Sequence, residues 1–287
     1  MFWRNALSFE RPVFIIGSYR SGTSITTWCV GQHPNIWVLP ETYWIAEFAR
    51  QANTLYDLGT AQPAAHFARC GLTKADLTTE ARRFVDNVIE KAQQRRVRKV
   101  LTNLMNGGTQ PEGMYLQRAP LEPKARWVDG TPENAHAVAD LLQLFPDARF
   151  IHLVRTPHEV VRSMANFENA GGVSQALLEA YGTWRRLAGA AWDAEQTFGS
   201  DRVRRFFHSD LTEDPEGMMR GIMAYLGEPY RPACLEPLQR KINSSSVDDK
   251  PVPVRDTLSG ASRDAFDDNQ AFFDMLKEAD RVTAGPS

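Results

Sequence analysis

The stretch that most constrains this chain is VFIIGSYRSGTS, residues 13–24. Val13 to Ile16 form a short apolar run, which reads as a strand buried on both faces of a parallel sheet. Gly17 ends it, and the small-residue loop from Ser18 to Ser24 leads into a segment that continues as a helix. A loop entering a helix leaves backbone N–H groups without internal partners, and the helix dipole adds partial positive charge there. Gly17 and Gly22 permit close backbone approach, Ser21, Thr23 and Ser24 carry hydroxyls, and Arg20 adds a fixed cation. This combination makes a phosphate cradle. It departs from the Walker A pattern, which sets Lys directly after the second Gly. Here Thr23 follows Gly22, and the cation stands two positions before that glycine.

Downstream, Thr23 to Gln32 reads as a helix, His33-Pro34-Asn35 as a turn, and Ile36 to Leu39 as a second buried strand stopped by Pro40. Glu41 and Thr42 then stand at the strand's carboxyl end. Ligands of open parallel sheets bind beyond that edge, so Glu41 is expected on the same rim as the loop. From Tyr43 to about Arg98 the pattern is mostly helical, and residues 106–123 read as a loop. The basic cluster Lys91, Arg95, Arg96, Arg98 and Lys99 reads as a solvated helix face or as a patch for an acidic acceptor. Residues 43–126 together read as a helical insertion that forms a lid over the acceptor. A third strand is expected at Trp127-Val128, and Pro132 opens a helix running to Phe145. Arg149 to Val154 is another strand, followed by Arg155 and a helix opened by Thr156-Pro157. A helix over 174–198, a strand over Arg202 to Phe207, a helix from Pro215 to Leu226 and a short one from Asp268 to Glu278 complete the chain. The alternation predicts a three-layer α/β fold with a central parallel sheet, as one domain over 1–287.

Composition removes several classes. A net charge of −2 argues against a dedicated nucleic-acid binder. Cys29, Cys70 and Cys234 are too far apart for a disulfide framework or a metal-site spacing, and each reads as a core or surface thiol. The first residues, MFWRNALSFERP, have no long apolar core, which predicts a cytoplasmic protein without a membrane span.

A second anion signal is FIHLVRTPHEVVRS, residues 150–163. Arg155 ends a strand, and Ser163 lies eight positions on, within the next helix. One by charge and one by hydroxyl, they can clasp a second phosphate, with a structural ion pair as the alternative for Arg155. Two separate cradles suit a nucleotide with phosphates at both ends, whereas an ATP enzyme gathers its phosphates and Mg²⁺ at one loop.

These motifs, with GQHPNI after the first helix and DLTEDPEGMMRGIMAYLGEP after the later strand, resemble the sulfotransferases that use 3′-phosphoadenosine 5′-phosphosulfate (PAPS). The resemblance is nearest to the bacterial and tyrosylprotein branch with Arg-Ser-Gly-Thr in the loop. It implies a P-loop-like fold and PAPS as co-substrate without a metal. The 5′ end would be held by Arg20, Ser21, Gly22, Thr23 and Ser24, and the 3′-phosphate by Arg155 and Ser163. It implies Glu41 as the base that takes the proton of an acceptor hydroxyl, and Arg20 as the group that stabilises the leaving phosphate. The acceptor would be a small molecule, lipid, sugar or peptide. The aromatic run Tyr43, Trp44 and Phe48 beside Glu41 points to an apolar or ring portion in it.

The sequence also departs from that pattern. Relatives place Lys where Gly130 stands, and Lys124, Arg126 or a lid residue is then the expected substitute, with Asp129 as an alternative base. His208 takes the place of a tyrosine near the adenine. Lys250, with Ser244 to Ser246, is expected in a late loop over the 3′-phosphate. A catalytically impaired nucleotide-binding module and a P-loop kinase are the competing functions.

Overall fold

Five short segments become the strands of one all-parallel sheet with order β2-β3-β1-β4-β5. They are β1 (Val13–Gly17), β2 (Ile36–Val38), β3 (Arg126–Asp129), β4 (Arg149–Val154) and β5 (Val203–Phe207). The structure is a computed structural model and describes residues 9–107, 124–165, 175–239 and 252–284. Parallel register aligns Val13 with Val128 on one side and with Arg149 on the other, so all strands end at a common edge.

Side chains alternate across the sheet, as the strand period of two requires. Phe14, Ile16, Trp37, Trp127, Phe150 and Val203 share one core. They meet α2 (Trp44–Thr60), α4 (Lys74–Met105), α5 (Val138–Leu144) and α7 (Leu177–Phe198) there. Val13, Ile15, Ile36, Val38, Val128, Ile151 and Leu153 share the opposite core with α1 (Thr23–Val30), α8 (His208–Glu213) and α9 (Pro215–Leu226). Helices thus cover both faces, and the α/β fold with a central parallel sheet is as expected from the sequence. Phe14 anchors the first layer, meeting Trp127 edge to face at 5.2 Å and stacking on Phe150 at 5.0 Å. Aromatic pairs of this kind add about 1 kcal/mol each beyond their buried area.

Between β2 and β3 the described residues form the helices α2, α3 (His66–Cys70) and α4. Thr73 starts α4 in a capping box with Asp76, which accepts from the Thr73 backbone while the Thr73 hydroxyl accepts from Asp76. Ala81, Val85 and Ile89 bury the first half of this helix against the sheet. In its second half Lys91, Arg95, Arg98 and Lys99 are exposed, whereas Gln93 is buried.

Two elements differ from their expected form. The segment opened by Pro132 runs as a 3₁₀ helix to Ala137 before α5 begins. The last helix, α10 (Ala261–Ala284), extends well beyond the expected 268–278. Its apolar stripe of Phe266, Phe272, Phe273 and Leu276 is interleaved with Arg263, Asp264, Asp267 and Asp268, which hide the periodicity. No helix among the described residues is long and apolar enough to cross a membrane.

Candidate functional site

The carboxyl edge of the sheet collects the loop after each strand. After β1, Gly17 has φ +143°, and a Cβ there would lie 2.3 Å from the Leu153 carbonyl oxygen of β4. Only glycine fits that contact. The loop reaches α1 through Gly22, whose φ of +90° makes it the left-handed N-cap. Ser21 and Ser18 close a turn, with Ser21 N donating to the Ser18 carbonyl at 3.3 Å. Both serines are buried, and neither hydroxyl has a hydrogen-bond partner among the described residues. Buried polar atoms without partners cost about 1–3 kcal/mol each, so two of them at a helix N-terminus fit an anionic ligand.

The second expected cradle stands directly beside the first. Arg155 follows β4, and Ser163 lies on the last turn of α6 (Pro157–Met164). Arg20, at φ +61°, donates from Nε to Ser163 Oγ at 2.9 Å. Arg155 donates from Nη1 to the Arg20 carbonyl at 3.0 Å and pairs with Glu159 at 3.3 Å. The arginine placed by sequence at the 5′ end therefore spans both cradles. Burial and the neighbouring Arg155 charge lower the Arg20 pKa from its ordinary value. An anion near both would be stabilised by the same two charges.

Glu41 follows β2 on this edge, as its spacing required. Burial first, then the nearby Glu133 and Asp129 carboxylates, raise its pKa; the Tyr43 hydroxyl, donating to Oε2 at 2.5 Å, offsets this in part. Tyr19 of the loop donates to Glu133, so two tyrosine–glutamate pairs line the rim. Sequence reading assigned no role to Tyr19 or Glu133, because their pairing joins residues 114 positions apart.

Asp129 is fully buried at the end of β3 and accepts four hydrogen bonds. Oδ1 takes Thr131 N at 3.0 Å and Thr131 Oγ1 at 2.6 Å. Oδ2 takes Thr42 Oγ1 at 2.7 Å and Asn134 Nδ2 at 2.9 Å. Thr42 N also donates to Thr131 Oγ1 at 2.8 Å. Asp129 is thus a brace for the segment carrying Glu41, and with its acceptor sites filled it has no place as an alternative base. An aspartate accepting from the backbone N–H two residues on is an Asx turn, a signal that Asp129-Gly130-Thr131-Pro132 carries openly.

Two of the expected substitutes for the missing lysine, Lys124 and Arg126, do not reach this edge. A Cβ on Gly130 would lie 2.1 Å from Thr27 Oγ1 of α1, so close packing fills the space where a side chain would start. Arg126 begins β3 at the opposite edge and Lys124 precedes it; there Lys124 donates to the Pro34 carbonyl at 2.5 Å and Arg126 to the Leu226 carbonyl at 2.8 Å. Both expectations are corrected by the direction of the strand.

His208 opens α8 directly after β5, and its ring lies over the loop. A Cβ on Gly22 would meet His208 Cδ2 at 2.5 Å. Burial, then the Arg155 charge, push the imidazole pKa down to about 4. Trp44 and Tyr43 are exposed at the rim, whereas Phe48 stacks on Phe84 of α4 at 5.1 Å. Lys250 and Ser244 to Ser246 lie outside the described residues. Among the described residues no group of three or more His, Cys, Asp or Glu side chains could hold a metal ion.

Comparison with known proteins gives one family. The model described as "Sulfotransferase family" matches residues 12–232. Mouse carbohydrate sulfotransferase 5 is 25% identical over 302 residues, spanning 91% of this chain and 74% of its own. The protein-tyrosine sulfotransferase of Drosophila melanogaster is 22% identical, covering 79% of this chain and 40% of its own length. The solved sulfotransferase domain of the Synechococcus PCC 7002 olefin synthase overlays with a TM-score of 0.54 at 22% identity, covering 92% of this chain and 95% of that one.

Proposed function

Because the chain belongs to the sulfotransferase family, we propose that it moves a sulfuryl group from PAPS to an acceptor hydroxyl, with Glu41 as general base. The observation that carries this reading is the 2.9 Å contact between Arg20 and Ser163. It joins the loop and the Arg155 segment into one continuous anion surface, which suits a donor with phosphate at both its 5′ and 3′ ends.

In this reading the acceptor oxygen attacks sulfur in line, and the bond from sulfur to the 5′-phosphate oxygen breaks. Glu41 takes the acceptor proton. The 5′-phosphate leaves with the bond's electron pair, and Arg20 with the loop N–H groups stabilises that charge. Arg155 and Ser163 hold the 3′-phosphate, and His208, neutral at pH 7, lies over Gly22 beside the nucleotide. Thr23 and Ser24 open α1 at the 5′ end, and Lys250 is assigned to the nucleotide as well. The products are a sulfate ester and 3′-phosphoadenosine 5′-phosphate, and no metal takes part.

A hydroxyl acceptor fits the names of the relatives, which act on carbohydrate, protein tyrosine and, in the mycobacterial relative 27% identical over 109 residues, omega-hydroxy-beta-dihydromenaquinone-9. The acceptor displaces or shares the Tyr43 hydroxyl on Glu41. The helical insertion over residues 43–126 serves as its lid within a single domain. The protein works in the cytoplasm and uses no nucleic acid.

Glu41→Gln tests the reading. Transfer of labelled sulfate from PAPS to a panel of sugars, phenols and long-chain alcohols falls about 10²- to 10⁴-fold, while calorimetric affinity for 3′-phosphoadenosine 5′-phosphate is nearly unchanged. Because burial raises the Glu41 pKa, the wild-type rate climbs with pH through that raised value. Undiminished transfer removes Glu41 from its role. Tight nucleotide binding without transfer by the wild type favours the inactive module that Gly130 allows, and preferential binding of ATP favours the kinase.

A further inference from the structure

The helix α6 is only eight residues long, yet it leads from Arg155 to Ser163. A helix of that length is not stable by itself, so its position is set by what packs on it. Arg20 holds its inner side through Ser163. Its outer side is held by α7 and by α10, and α10 lies beyond the residues 12–232 that match the family.

His158 is the contact point. It is buried between Arg155 and Ser163 in the chain. Its ring stacks face to face on Phe266 of α10, with centroids 3.6 Å apart and planes 6° apart. Nε2 lies 2.8 Å from Gln270 Oε1, and Nδ1 lies 2.7 Å from the Tyr181 hydroxyl of α7. The amide of Gln270 is oriented by its own donation to Asp274 Oδ1 at 2.9 Å. Gln270 therefore presents only its oxygen to His158, which places the ring proton on Nε2. Nδ1 is left as the acceptor for the Tyr181 O–H. Each donor in this chain meets one acceptor, so the ring has one orientation and one tautomer.

The neighbouring contacts bind the same elements. Trp184 of α7 donates from its indole N–H to the Arg155 carbonyl at 3.1 Å and meets Phe272 of α10 edge to face at 5.9 Å. Phe273 packs on Phe207 at the end of β5, at 6.1 Å. Arg255 pairs with Asp267 at 2.6 Å and ties the approach to α10 onto the helix.

We propose that His158 is a positioning residue, locked by Phe266 and Gln270 of α10, and that α10 thereby sets where Arg155 and Ser163 stand to receive the 3′-phosphate. This inference rests on the reading of those two residues as the 3′-phosphate site. It assigns the helix outside the family match a direct part in nucleotide selection.

The test compares two nucleotides that differ only in the 3′-phosphate. Affinities of the full chain for 3′-phosphoadenosine 5′-phosphate and for adenosine 5′-phosphate are measured by calorimetry in wild type, Gln270→Ala and Phe266→Leu. Gln270 is partly exposed, so its replacement leaves the fold in place. Each variant is expected to lose about tenfold for the bisphosphate and to keep its affinity for the monophosphate within twofold. A general loss of structure lowers both affinities together. Equal losses, or no loss, would overturn the inference. Wild-type protein that binds the two nucleotides alike, or binds neither, removes instead the 3′-phosphate assignment beneath it.

Discussion

The two edges of the sheet both gather charged and polar side chains, and they use them in opposite ways. At the amino edge Arg126, which is 1% exposed, donates to the Arg11 carbonyl at 2.7 Å, the Leu226 carbonyl at 2.8 Å and Glu228 at 3.1 Å. Glu228 also accepts from Asn35 Nδ2 at 3.2 Å. His33 Nδ1 accepts from Asn35 N at 3.2 Å, which leaves Nε2 to donate to the Pro229 carbonyl at 3.1 Å. Of Arg126, only Nη2 is left over. At the carboxyl edge the Ser18 and Ser21 hydroxyls and Glu133 Oε2 are buried without partners among the described residues. Charge at a sheet edge therefore says little by itself. Unused hydrogen-bonding capacity at Ser18, Ser21 and Glu133 sets the proposed binding edge apart from the clamp.

The largest effect that would sharpen this contrast lies at the clamp. Arg126→Leu strands Glu228 in the interior, and loss of one partner of a buried ion pair costs about 3–5 kcal/mol. Chemical denaturation is expected to register that loss, while the folded fraction keeps its affinity for 3′-phosphoadenosine 5′-phosphate. A matching fall in nucleotide affinity would mean that the two edges are coupled, and the contrast would fail.

A smaller effect is expected at the binding edge itself. Asp129→Asn turns an acceptor into a donor facing Asn134 Nδ2 or the Thr42 hydroxyl. The cost to stability is about 1–3 kcal/mol. Glu41 loses the anchor of its own segment, so turnover falls about tenfold or more through misplacement, with nucleotide affinity preserved. A variant that loses stability but not turnover reduces Asp129 to a second structural clamp, and the carboxyl edge would then resemble the amino edge.

How much of this was legible in the sequence depends on range. The strands were readable because apolar runs bounded by Gly17, Pro40 and Arg155 have few alternatives. Glu41 was placed on the correct edge by the same logic. The contact between Arg20 and Ser163 joins residues 143 positions apart, and no local pattern encodes it. Lys124 and Arg126 were misplaced for a geometric reason. Three steps along β3 at 3.3 Å separate Arg126 from Asp129 by about 10 Å, so near neighbours in sequence belong to opposite edges. Glu133 and Tyr19 were invisible because their pairing depends on how the 3₁₀ turn after β3 faces the loop. The extent of α10 was hidden because its stripe reads as charged until its partners on α6 and α7 are known.

The smallest expected effect uses pH to set one histidine from each edge against the other. Both have pKa values lowered chiefly by burial; at His33 the next influence is Glu228, which opposes the shift ahead of the smaller effects of Arg231 and Arg126, whereas at His208 it is Arg155, which adds to the shift ahead of the opposing Glu159. In the unfolded chain a histidine takes its proton near pH 6.5. Folded His208 refuses it until about pH 4. Between those values the unfolded state binds more protons, so stability falls as pH drops through that window. Glutamine has no proton to take. His208→Gln is therefore expected to shrink the loss of stability between pH 7.5 and pH 5.5 by about 1 kcal/mol, read from urea midpoints without nucleotide. His33→Gln is expected to shrink it by less, because Glu228 favours the charged ring. The comparison uses the change with pH within each variant, so hydrogen bonds lost at both pH values cancel. Equal relief at the two sites would show that Arg155 does not reach His208, and the charge assigned to the binding edge would have to lie elsewhere.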